Sequence, residues 1–367
     1  MLQWIACALS FFFILLASFS QAKALVHSES FVRVRIKSLP AKFKLSGENI
    51  QFIGIEKKFR SVSLKENQSV QFEIQRVLVA GKSYWQVSHN NLPTSRTLLS
   101  SQPALMIQGQ ELQQGATTLP DKIFFRENLS GSVDLIGVLP LEEYVFSVLT
   151  SEMPLGWPIE TLKAQAVAIR SYTQAVINGR QSRPYDVESS VLDQVYKKPQ
   201  GINQAYLAKA RQAQRETEGI TLLNSKGQTL KAFYHSDCGG KTVLPSSVWN
   251  QEREHDVGTS VDSFCASNPR GRWSLTMTKQ KLQDLLKSFV GDIRSNDFRK
   301  LVGFMDLKST QFEVFENQGQ IQFVGQGFGH GAGLCQWGSK YLGQKGLSYQ
   351  RILKHYYPLA VLKRDSL

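Results

Sequence analysis

The residue whose type and position most invite chemistry is Glu152. The stretch from about Pro140 to Glu152 is closed by Pro154 and reads as a helix. At 100° per residue, Leu141, Tyr144, Val145, Val148 and Leu149 form one apolar stripe. Glu152 lies four residues beyond Val148 and seven beyond Val145, so the stripe ends in a carboxyl group. Glu142 and Glu143 fall off that face and read as solvated charges. A carboxyl beside apolar neighbours, at the negative end of a helix dipole, has its ionised form disfavoured twice. Such a group keeps its proton toward neutral pH and can act as a general acid. The plainer alternative is a terminal glutamate that turns to water where the helix frays.

Three further segments carry polar side chains in suggestive patterns. A second helix opens at Pro158 and runs to about Asn178, bearing Lys163, Gln165, Arg170 and Tyr172. Lys163 and Arg170 are seven apart and share a side, a basic stripe suited to an anionic or hydroxyl-rich ligand, or else a solvated face. Tyr234-His-Ser-Asp-Cys-Gly-Gly240 follows a strand directly, and its glycines permit positive φ, presenting His235 and Ser236. Gly325 to Gly338 holds six glycines in fourteen residues, with His330, Gln336 and Trp337 among them. Neither the P-loop nor the dinucleotide spacing is present. A flat aromatic and an amide on such a loop suit a sugar; a tight backbone crossing is the structural alternative.

The whole chain narrows the ligand class. Its 367 residues are 42% hydrophobic and 20% charged, an ordinary globular composition, with a formal net charge of +13. That charge points to an anionic partner. Trp4 to Ser18 is apolar and small residues follow up to Ala24, so residues 1–24 read as a secretory signal and no later stretch could span a bilayer. An exported basic protein, in the periplasm or at the cell wall, meets cell wall rather than nucleic acid. Cys7 leaves with the signal, and Cys238, Cys265 and Cys335 remain. A Cys238–Cys265 disulfide is the simplest reading in an oxidising compartment. Zinc held by His235, Cys238 and Cys265 is an alternative, weakened by the lack of C-x-x-C or H-x-x-x-H spacing, and free thiols are a third. No cofactor is otherwise called for.

The elements that must position these residues give an α+β chain. Residues 25–115 alternate apolar and polar side chains, as in Phe31–Ile36 and Val70–Ile74, and read as a β-rich unit. The polar stretch Gln108–Gly115 suggests a boundary, leaving 116–367 as a second unit. Further helices are expected at about 203–219, 279–290 and 349–356.

Taken together, several segments resemble the SpoIID/LytB family of stage II sporulation protein D and amidase-enhancer proteins. They are Leu139-Pro-Leu-Glu-Glu-Tyr144, Ser151-Glu-Met-Pro154, Leu162–Ala168 with Arg170, Gln194-Val-Tyr196, Tyr234-His-Ser236 with Gly239-Gly240, Gly327–Gly331, Gln336-Trp-Gly338 and His355–Pro358. The resemblance spans about residues 120 to 362 and implies peptidoglycan glycan strands, lacking stem peptides, as substrate of a lytic transglycosylase. It implies Glu152, which precedes Met-Pro, as the acid/base, and adds Gln194 and Tyr196 to the substrate-binding candidates. A non-catalytic wall protein that stimulates a cell-wall amidase is the alternative function. Relatives often carry cysteines near the Gln-x-Tyr motif; this chain has none between Glu188 and Asp193, so no metal or disulfide carries over there.

Overall fold

Alternation of apolar and polar residues makes strands of most of the described residues up to Pro140. The computed structural model describes residues 30–53, 69–89, 98–101, 103–249, 252–287 and 294–364, and the signal expected at 1–24 lies outside them. The strands are β1 (Phe31–Leu39), β2 (Lys42–Ile53), β3 (Val70–Val79), β4 (Lys82–His89), β5 (Leu98–Ser100), β6 (Ala104–Gln114), β7 (Thr117–Thr118), β8 (Lys122–Glu127) and β9 (Val133–Pro140). With β10 (Val187–Glu188) they form one sheet in the order β10-β1-β9-β8-β6-β2-β3-β4-β5, with β7 beside β6, while β11 (Ile220–Leu223) pairs separately with the last strand, Val361–Arg364. Its core holds Phe72, Ile74, Trp85, Ile107 and Phe125.

The expected boundary near 108–115 is corrected by this sheet. Gln108–Gln114 lies inside β6, paired on one side with β2 and on the other with β8 at Gln108 and with β7 at Gln113 and Gln114. The glycine there has a packing reason: a Cβ on Gly109 would come within 3.0 Å of the Glu48 carbonyl oxygen. The β-rich region therefore continues to Pro140 and hands directly into the first helix.

The fold is α+β. Helix α1 (Leu141–Glu152) is followed by α2 (Ile159–Gly179), α3 (Gln204–Glu216), α4 (Lys279–Lys287), α5 (Ser295–Val302), α6 (Gln336–Gln344) and α7 (Tyr349–Tyr356). Central among them is α2, where Leu162, Ala164, Ala166, Val167, Ala168 and Ile169 are all fully buried. Its alanines let α1, α3, α6 and α7 approach from several sides. Val32 and Val34 of β1 join Tyr144, Leu149 and Ile169 in one core, so the sheet and the helices share an interior. Three antiparallel strands, β13 (Arg272–Thr278), β14 (Phe312–Asn317) and β15 (Gln320–Gln326), with α4 and α5, enclose a smaller core around Trp273, Phe298 and Phe323. Among the described residues no helix is long and apolar enough to cross a membrane.

Two charge assignments change. Arg170 is buried (1% exposed) and forms a bidentate pair with Glu142, Nε to Oε1 at 2.6 Å and Nη2 to Oε2 at 2.7 Å. Glu142 also accepts from Gln214 Nε2 at 2.6 Å, so it is a structural anchor between α1, α2 and α3 rather than a solvated charge. Burial acts to raise its pKa, but the bonds from Arg170 and Gln214 outweigh it and the net shift is downward. Lys163 is held by Glu160 and Glu216, each at 2.6 Å. The basic stripe is thus consumed by ion pairs within the fold.

Candidate active site

Helix α1 stops where the sequence requires: Met153 takes an extended conformation, φ −117° and ψ 139°, ahead of Pro154. Tyr144, Val145, Val148 and Leu149 are fully buried, and the partly buried Glu152 is carried by the end of that stripe into a cleft of about 240 Å³. His235, Ser236, His330, Gln336 and Arg299 share its walls. Burial raises the pKa of Glu152, opposed by one hydrogen bond, in which the Val195 N–H donates to Oε1 at 2.7 Å.

That N–H is delivered by Gln194-Val-Tyr196. Gln194 Oε1 accepts from Tyr144 Oη at 3.1 Å and from Thr173 Oγ1 at 2.9 Å. Tyr196 stacks on Tyr144 with centroids 5.9 Å apart and planes within 5°. Asp193, one residue earlier, accepts from Tyr172 Oη, from the Glu188 N–H and from Arg180. The side chains on either side of Val195 are therefore anchored to α1 and α2, while its backbone N–H faces the carboxyl. Gln194, Tyr196 and Tyr172 hold this loop from behind; they do not line the cleft.

The opposite wall is a close crossing of two backbone segments. Short strands β12 (Tyr234–His235) and β16 (Leu334–Cys335) pair in parallel, with His235 opposite Cys335. At Gly333, φ is +71° and a Cβ would lie 1.9 Å from the Phe233 carbonyl oxygen; at Gly329 it would lie 2.7 Å from the His235 Cβ. Glycine is required there by the crossing, so the structural reading of the glycine-rich segment holds for its backbone. The same crossing still puts His330 and Gln336 on the cleft.

Both histidines are shifted toward the neutral form. Burial lowers His235 to about 4. Its Nδ1 lies 3.0 Å from the Ala332 carbonyl, so the neutral ring carries its proton there and leaves Nε2 an acceptor. That Nε2 is buried with no hydrogen-bond partner among the described residues. His330 Nδ1 accepts from the Ala332 N–H at 3.1 Å, which puts the His330 proton on Nε2. Burial again is the main cause of its lowered pKa, reinforced by His235 and Arg299. One acceptor and one donor thus stand side by side, ring centroids 5.5 Å apart.

Sequence reasoning missed Arg299, Trp249 and the Val195 N–H. Arg299, on α5, donates to the Leu307 and Lys308 carbonyls and to Asn296, and burial lowers it to about 10. It comes from the smaller subdomain, more than a hundred residues from Glu152, and no local pattern marks it. Four candidates besides the loop anchors stand away from the cleft. Lys163 and Arg170 are ion-paired as described, and Gln165 is fully buried within α2. Trp337 packs edge-on against Trp157 at 5.2 Å, with the Lys340 ammonium 4.3 Å from its ring centre. The amphipathic α6 turns Trp337 outward from the segment that presents Gln336 inward.

The cysteines also depart from expectation. Cys238, Cys265 and Cys335 are all buried free thiols, so the Cys238–Cys265 disulfide is not formed in this structure. Nor is His235 among the side chains whose donor atoms converge with those of the two cysteines. Asp237 and Cys335 stand there instead.

A family model described as "SpoIID: Stage II sporulation protein" matches residues 130–223, a segment that contains α1, α2 and the Gln194–Tyr196 loop. Over that segment the chain is similar to the SpoIID family. It is 27% identical to stage II sporulation protein D of Bacillus subtilis over 306 residues, 73% of this chain and 84% of that one. An uncharacterized protein of Brachyspira hyodysenteriae is 28% identical, over 61% of this chain and 66% of its own length, just under two thirds. The amidase enhancer of Bacillus subtilis is 24% identical, over 58% of this chain and only 39% of that protein. The SpoIID-matched segment supplies the carboxyl and its N–H partner. Both histidines, Gln336 and Arg299 come from residues beyond 223, so the cleft closes only when the C-terminal part of the chain folds back onto α1.

Proposed function

We propose that this protein acts on the cell wall as a peptidoglycan lytic transglycosylase, with Glu152 as the single acid/base. The observation that carries the reading is the character of the two carboxyl groups on the cleft. Glu152 is desolvated, held by one N–H and raised in pKa. Asp193 is occupied by Arg180, Tyr172 and a backbone N–H. A hydrolase of the usual kind needs a second available carboxylate, as nucleophile or as base for water. A transglycosylase does not.

In this reaction the Glu152 carboxyl gives its proton to the glycosidic oxygen as the C1–O bond breaks. The resulting carboxylate takes the proton of the sugar's own 6-hydroxyl, whose oxygen bonds to C1 and closes a 1,6-anhydro ring. The proton returns to Glu152 and no water is consumed. The acceptor at His235 Nε2 and the donor at His330 Nε2 suit sugar hydroxyls. Arg299 lines the same cleft, and its positive charge helps to keep His235 and His330 neutral. Denuded glycan strands incubated with the protein should yield 1,6-anhydro-muramyl ends by mass spectrometry, and strands that end only in reducing sugars would contradict the reading.

The likeness to the amidase enhancer favours a second reading, in which the protein binds wall and stimulates an N-acetylmuramoyl-L-alanine amidase. Stimulation of a purified amidase by a Glu152→Gln variant, with no anhydro ends formed by the unaltered protein, would select it. Under either reading the protein works outside the cytoplasm.

A further inference from the structure

Behind the cleft wall, the side chains of Asp237, Cys238, Cys265 and Cys335 converge, with one donor atom from each and all four atoms within 4.8 Å of one another. All four residues are buried. Cys238 and Cys265 Sγ are 3.5 Å apart. A tetrahedral zinc ion with bonds of about 2.3 Å to sulfur sets its sulfur ligands about 3.8 Å apart, close to this spacing. The surroundings also match what thiolates and a ligating carboxylate require. Cys335 Sγ accepts from the Cys238 and Gly338 N–H groups, both at 3.4 Å. Asp237 is oriented by the Gly239 N–H on Oδ1 at 2.8 Å and by Asn268 Nδ2 on Oδ2 at 2.6 Å. Outer partners of this kind fix first ligands in place and disperse their charge. A second cavity, of about 370 Å³, has Asp237 and Cys265 in its lining and gives an entry path from solvent.

We propose that Asp237, Cys238, Cys265 and Cys335 bind one zinc ion in a closed, structural, four-ligand site. Binding displaces one proton from each of the three thiols. With four protein ligands no position is left for water or substrate, so the ion has no part in bond cleavage. Its place in the fold gives it a job. Asp237 and Cys238 directly follow His235 and Ser236, and Cys335 directly precedes Gln336. The ion would cross-link β12 to β16 and bring in the 263–267 turn that carries Cys265, fixing the segments from which the cleft wall hangs. The proposal rests on residues outside the cleft and stands whether or not the protein cleaves glycan.

The test uses the full chain, exported and purified without reductant, with metal content measured by elemental analysis. About one zinc per chain is expected. Cobalt exchanged into the protein should give the intense visible bands of tetrahedral coordination together with thiolate-to-metal charge transfer. Alkylation after denaturation with a chelator should modify Cys238, Cys265 and Cys335 alike. Cys335→Ala and Cys265→Ala should each lose the metal. If these variants fail to fold, the zinc ratio and cobalt spectrum of the unaltered chain decide. A peptide map showing Cys238 joined to Cys265, folded protein with far less than one zinc per chain and no cobalt spectrum, or a spectrum unchanged by Cys335→Ala would each overturn the site.

Discussion

Glu152 has almost no help for its charge, a single N–H at 2.7 Å against substantial burial. Replacing it with glutamine keeps the shape and the acceptor oxygen for Val195 but removes the mobile proton. Glycan cleavage should fall by a factor on the order of 10² or more, read by release of anhydro ends. The same variant should be the more stable protein at neutral pH. Because the folded-state pKa is raised, the folded chain holds a proton that the unfolded chain releases, and wild-type stability is lost as pH rises through the raised value. Urea midpoints of Glu152→Gln and wild type should therefore coincide at acid pH and separate toward pH 7, the variant higher. His235 acts in the opposite sense. Its folded pKa is lowered from 6.5 to about 4, so stability falls as pH drops through that window, and His235→Gln should flatten that part of the curve.

At the level of elements, α1, α2 and α3 are tied by the Glu142–Arg170–Gln214 cluster. Glu142→Gln would leave the Arg170 guanidinium buried without its counter-charge, at a cost of about 3 kcal/mol in a denaturant titration. An equal loss from Glu143→Gln would argue against that assignment, since Glu143 only pairs with Arg211 at the surface. The β12–β16 crossing is equally intolerant. Gly333→Ala meets the Phe233 carbonyl at 1.9 Å and should cost well over about 3 kcal/mol, whereas Gly346→Ala, with nothing within 4 Å, bears only the left-handed backbone penalty of about 1 kcal/mol. Similar midpoints for the two would mean that the segments do not cross so closely.

Across the whole molecule, the formal net charge is +13. Long-range attraction between exposed charges is screened over about 8 Å at physiological ionic strength. Sedimentation with intact wall should weaken steeply as salt is added, while cleavage of short uncharged glycans, which depends on contacts within the cleft, should change little. Salt-indifferent wall binding would show that the surplus charge serves another purpose. Trp337→Ala separates the two as well. Because Trp337 packs with Trp157 outside the cleft, its loss should leave cleavage of the shortest glycans nearly intact and affect long strands that reach that surface.

What the sequence determined by itself is what local periodicity can encode. The apolar stripe ending in Glu152, the second helix from Pro158, the final helix at 349–356 and the alternating strands of the sheet all follow from residue spacing and from proline and glycine placement. Glu152, His235, Ser236, His330 and Gln336 stand out as candidates because each sits in, or at the end of, such a local pattern, and the fold brings all five to one cleft. Spacing along a helix says which residues share a side but not what that side meets. Lys163 and Arg170 looked like a ligand-binding stripe until α1 and α3 supplied Glu142 and Glu216, and Gln108–Gln114 looked like a linker until β2, β7 and β8 closed on it. Arg299, the Val195 N–H and the convergence of Asp237 with three cysteines depend on segments separated by up to about 150 residues. Only the tertiary structure could decide them, because the free energy that places those groups comes from packing between elements and leaves no periodic trace in any one of them.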